Sequence, residues 1–179
     1  MFKTGEYVVY GSLGVCRVKD LVTRKFEGLD AAHPYYVLEP LYQSGTLYAP
    51  ADNPKIALRP VINAAEANRL IDAIPATESK AFHSRSAQEL SAHYEQALQT
   101  HDCKDLIELT MSIYNKKAAL AQQNKKFGRV DEHFMRQAED TLYGELAVAL
   151  GIAREEVPGY IKARVAKAKA AAKAEKQQA

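Results

Sequence analysis

The apolar residues of this 179-residue chain change their period once, and that change divides it in two. Up to about residue 62 they come in short runs: Tyr7 to Tyr10, Val15 to Phe26, Tyr35 to Tyr42, Thr46 to Ala49 and Ile56 to Ile62. These runs are rich in aromatic and β-branched side chains, which suit a pleated, half-buried surface. The gaps at Gly11 to Gly14, Gly28 to Pro34, Ser44-Gly45 and Pro50 to Pro54 hold turn-forming residues. Five such strands predict a partly open SH3-like or Tudor-like barrel over residues 1–62. Pro40 and Pro60 lack ladder donors and are expected at edge or bulge positions.

From Asn63 the period becomes helical. Asn63 with Glu66 forms a capping-box-like start, and Ala67, Leu70, Ile71 and Ile74 make an apolar stripe that ends at Pro75. Ser86 with Glu89 opens a second helix carrying Leu90, Tyr94 and Leu98. Asp102 opens a third, with Leu106, Leu109, Ile113 and Ala121 on its core stripe. Lys125 to Val130 reads as a basic turn, after which Asp131 is expected to cap a fourth helix that stops at Gly151. A short terminal helix through Val157, Tyr160 and Ile161 follows. Beyond about Ala166 the Ala/Lys repeat has no large apolar residue, so it reads as a fraying helix or solvated tail. The resulting expectation is an α+β protein. A five-stranded barrel spans residues 1–62, a compact all-helical domain residues 63–165, and an Ala/Lys-rich tail residues 166–179.

Charge and motif content narrow the function classes. No apolar run approaches a membrane span and no charged leader precedes an apolar core, so a cytoplasmic location without a membrane partner is expected. Cys16 and Cys103 offer neither a CxxC nor a disulfide framework. His33, His83, His93, His101 and His133 are scattered without metal-ligand spacing, and Asp102 after His101 is explained as a helix cap. Phosphate-cradling and nucleophile-elbow motifs are missing, and the neighbouring acids Glu139-Asp140 and Glu155-Glu156 diverge by about 100° on a helix. These readings point away from a catalyst, a cofactor, a metal or a small-molecule substrate.

The net charge is only +2, yet Lys116, Lys117, Lys125, Lys126 and Arg129 fall in one acid-free stretch. A helix end and turn carrying five cations suits phosphate contacts that position without reading sequence. Solvated cations complementing a helix C-terminus account for Lys116, Lys117 and Lys125 almost as well.

Gly5-Glu6-Tyr7-Val8-Val9-Tyr10 with Gly14-Val15, then Tyr48-Ala49-Pro50, and Leu58-Arg59-Pro60-Val61-Ile62 before a helix resemble the polymerase-interacting domain of the CarD/CdnL/TRCF family. The run from Asp131 to Ala147 is similar to the penultimate helix of CarD and CdnL proteins. The resemblance implies a non-catalytic bacterial regulator of transcription initiation. Its Tudor-like domain would bind the RNA polymerase β subunit, and its helical domain would contact promoter double-stranded DNA near the upstream edge of the bubble. It implies polymerase contacts at Arg24 and Tyr48. Many members insert a Trp near the start of the second helix into the minor groove, but this chain has none. Phe82 and Leu90 are the apolar residues in that segment, and either type of side chain can wedge a base step. The reading from another class is a protein-interaction module on a helical scaffold with no nucleic-acid role.

Overall fold

The computed structural model describes residues 1–25, 27, 32–53 and 58–178. The expected strand ends at Phe26 and Ile56, and parts of the turns at Gly28 to Pro34 and Pro50 to Pro54, lie outside the described residues. The chain forms two compact units, Met1–Val61 and Ile62–Ala179. A five-stranded antiparallel sheet followed by five α-helices makes it an α+β protein.

The strands are β1 (Tyr7–Tyr10), β2 (Val15–Arg24), β3 (His33–Pro40), β4 (Leu47–Pro50) and β5 (Leu58–Pro60), in the spatial order β4-β3-β2-β1-β5. The β1–β2 hairpin closes through a 3₁₀ turn at Gly11–Leu13, and the Tyr10 N–H donates to the Gly14 carbonyl at 2.9 Å. Gly14 sits at φ 75°, a region where a side chain is strained, so glycine at this turn is required by geometry. Val8, Cys16, Val18, Tyr36, Leu38 and Ala49 fill the interior. Burial pushes the Cys16 thiol up to about 11, which leaves it an unreactive core residue.

A bulge at Lys19 breaks the β2–β3 register between Val18↔Leu38 and Asp20↔Val37. An extra residue on one strand bends it and increases its twist. Beyond the bulge no β2 residue is buried, so Arg24 arrives at the strand end in solvent. The expectation for Pro40 is corrected here. It pairs with Cys16 on interior strand β3, where it is the last residue, and the next ladder donor is supplied by Leu41 N–H to Val15 O at 2.9 Å. A strand terminus tolerates the missing N–H as well as an edge does.

The helices are α1 (Ala64–Ala73), α2 (Ala87–Leu98), α3 (Cys103–Gln122), α4 (Arg129–Leu150) and α5 (Val157–Gln178). Local chemistry starts the first three: Asn63, Ser86 and Asp102 accept side-chain hydrogen bonds from the N–H groups of Glu66, Glu89 and Lys104. Gly151 ends α4 at φ 67°. Ile71, Tyr94, Leu106, Ile113, Ala138, Leu146 and Val157 are almost fully buried at the centre of this unit. Glu145, itself buried, accepts the Ile62 N–H at 3.2 Å and anchors the start of the unit.

Three helical expectations change. Asp131 is not the cap of α4, because the helix starts at Arg129 after an extended Gly128, which puts Asp131 in its first turn and in the core. Ala121 is exposed, and the inward stripe of α3 continues from Ile113 through Lys116 instead. The helix begun at Val157 continues to Gln178.

Candidate functional site

In the barrel unit, strand pairing builds the most distinctive surface feature. Tyr48 lies on β4 opposite Val37 and flanks the buried Ala49, so alternation turns its ring outward. Arg24 ends β2 opposite His33. Although β3 separates their strands, the Arg24 guanidinium reaches the tyrosine: Nη1 donates to the Tyr48 hydroxyl at 3.3 Å, and Cζ stands 5.1 Å from the ring centroid. His33 and Asp52 approach to 3.1 Å in the same unit. Placing a planar, weakly hydrated cation over an exposed ring presents an apolar face and charged N–H donors together, as aromatic and arginine anchors of interfaces do. In the sheet order β4 is a terminal strand, which pairs with β3 alone among the described strands. A terminal strand can receive a partner strand by main-chain hydrogen bonds.

The helical unit divides the five expected DNA-facing cations. Lys116 is buried at 5% exposure, and its ammonium donates to Asp131 Oδ1 at 2.7 Å. The Tyr94 hydroxyl donates to the same oxygen at 2.6 Å. One buried carboxylate is therefore satisfied by a cation from α3 and a phenol from α2, and Lys116 belongs to the core rather than to the DNA-facing set. Local spacing holds the clue: Lys116 follows Ile113 by three residues, on the stripe of Leu106, Leu109 and Ile113.

The other four cations are exposed. Lys117 holds its ammonium 5.5 Å from the Phe127 ring centroid. Lys125 and Lys126 occupy the connection between α3 and α4, where Asn124 takes a left-handed conformation at φ 53°. Arg129 is the first residue of α4. There it adds a cation to backbone N–H groups that already favour anions.

The two candidate wedges separate. Leu90 is a buried core residue at 7% exposure, so it offers no side chain to a groove. Phe82 is half-buried in the α1–α2 connection, stacked on His93 with centroids 3.8 Å apart and planes 11° from parallel. Its segment is held from α3, since Ser112 donates to Lys80 O at 2.8 Å and Asn115 to Ser79 O at 2.9 Å. Among the described residues no three His, Cys, Asp or Glu side chains converge as a metal site. No described helix is long and apolar enough to cross a membrane.

Residues 2–62 match the family described as the CarD-like/TRCF RID domain, which makes the barrel unit a Tudor-like domain of that kind. It is a transcription-related, protein-interaction family and not a catalytic one. The match covers Arg24, Tyr48 and all five strands, and it ends where the helical unit begins. No curated protein matches the chain.

Proposed function

We propose that this protein regulates transcription initiation by docking its barrel on the RNA polymerase β subunit while its helical unit touches promoter double-stranded DNA near the upstream edge of the bubble. The observation that carries the reading is the Arg24–Tyr48 pair beside a terminal strand, inside a domain of transcription-related interaction type. Main-chain pairing along β4 supplies affinity, and the stacked arginine and tyrosine supply selectivity.

The duplex contact draws on Lys117, Lys125, Lys126 and Arg129, with Phe82 as the remaining wedge candidate. Four phosphate contacts correspond to a salt slope of about −3.6, which makes duplex binding weak at physiological salt. Tethering by polymerase raises the local concentration of promoter and compensates for that weakness. Removing Lys116 from the cationic set also favours a second reading, an interaction module without a nucleic-acid role.

Affinity capture of polymerase with the tagged full chain, with and without nuclease, tests the proposal. Retention of polymerase under both conditions, together with salt-dependent binding to a purified duplex, is the expected result. Retention without any duplex binding supports the second reading, and loss of polymerase on nuclease treatment overturns the protein contact.

A further inference from the structure

Helix α5 has two parts that differ in what holds them. Near its start Val157 is buried, and Tyr160, Ile161 and Val165 pack against the core of the helical unit. The Tyr160 hydroxyl donates to Asn68 at 2.6 Å, and Arg164 pairs with Asp72 at 2.7 Å. After Ala168 every described residue is exposed, and the sequence is Ala, Lys, Glu and Gln. All four are strong helix formers, and the packed first turns provide the nucleus that an isolated segment of this length lacks.

The lysines of this helix are not distributed evenly. At about 100° per residue, four of its five lysines, Lys162, Lys169, Lys173 and Lys176, fall within about 60° of one another, centred about 120° from the middle of the seated face of Val157, Tyr160, Ile161, Arg164 and Val165, while Lys167 lies about 150° from the stripe. They extend over about 21 Å of helix axis. All four are exposed, and Glu175, the sole acid of the helix, lies on the opposite side of the stripe. Complementing the helix dipole accounts only for Lys176, which is in the last turn.

We propose that this lysine stripe is a second duplex-DNA contact, which follows the phosphate backbone without reading bases. The stripe has no Arg or Asn for base edges, no aromatic on which an unpaired base stacks, and no large apolar side chain to enter a lipid interface. Ammonium point charges in a line on a helix match a line of phosphates. The inference rests on the duplex-binding part of the reading above and adds to its four cations a second set of four phosphate contacts on α5.

The test is the salt dependence of full-chain binding to a 30-base-pair duplex of arbitrary sequence. One variant carries Lys162→Gln, Lys169→Gln, Lys173→Gln and Lys176→Gln. A second keeps the composition but moves two cations off the stripe, with Lys169→Ala, Ala171→Lys, Lys173→Ala and Ala174→Lys. The first is expected to flatten the slope of log K against log salt by about 3.6, and the second by about half as much. Parent-like slopes in either variant overturn the stripe while leaving duplex binding through Lys125, Lys126 and Arg129 intact. A parent chain that binds no duplex at low salt overturns both readings. Binding of phosphatidylserine vesicles in place of duplex, lost in the first variant, overturns the choice of DNA.

Discussion

Lys116 and Asp131, fifteen positions apart on successive helices, meet at 2.7 Å inside the helical unit, with side chains 7% and 5% exposed. Removing one member of such a pair leaves an uncompensated buried charge, whereas replacing both with apolar side chains of similar volume is often neutral. Lys116→Ala is expected to lower stability by about 3–5 kcal/mol in chemical denaturation. Lys116→Met with Asp131→Leu and Tyr94→Phe, which also removes the phenol that donates to Asp131, should recover most of that loss, and Lys117→Ala should change stability by less than about 0.5 kcal/mol.

The same carboxylate gives the protein an alkaline limit. Burial first, and then the bond to Asp131, raise the Tyr94 hydroxyl well above its usual range. Burial and Glu139 likewise raise Tyr114, and burial raises Tyr143. A phenol that holds its proton more tightly when folded stabilises the fold fully below its unfolded value of about 10, and that contribution is lost as pH rises from there through the folded value. Unfolding free energy should therefore fall above about pH 10, and absorbance titration should show the buried Tyr94 ionising only as the chain unfolds. In Tyr94→Phe the alkaline decline should be shallower.

Leu90 and Phe82 should respond differently to truncation. Leu90→Ala empties a core position and should cost about 2–5 kcal/mol. Phe82→Ala removes a half-buried ring stacked on His93 and should cost less, while shortening the lifetime of open promoter complexes if the ring wedges a base step. Thermal melts and open-complex lifetimes of both variants check this. Equal melting losses with unchanged lifetimes would exclude the wedge.

Much of this architecture was legible because it is local. Asn63, Ser86 and Asp102 cap the helices they precede, and Gly151 takes the left-handed position expected of it. The strand runs alternate as a half-buried sheet does. What escaped the sequence depends on partners distant along the chain. The spacing of Lys116 from Ile113 shows that it faces inward, but nothing local reveals the carboxylate on the next helix and the phenol on the previous one that hold it there. Asp131 looked like a cap because it precedes Phe134 and Met135, but the core recruited its carboxylate and Gly128 took the extended place. The Arg24–Tyr48 contact spans an intervening strand, and the Lys19 bulge that sets β2's register carries no glycine to announce it.

Docking of polymerase through the barrel is tested most directly by the affinity of the full chain for immobilised β subunit, with Arg24→Glu compared against Lys125→Glu and both melting temperatures recorded. Arg24→Glu should weaken binding at least about tenfold, equivalent to about 1.4 kcal/mol, with an unchanged melt, because the side chain is exposed and only its contact with the Tyr48 ring is lost within the fold. Lys125→Glu should leave binding to the isolated subunit intact. Undiminished affinity in Arg24→Glu, or loss in Lys125→Glu alone, would contradict the account.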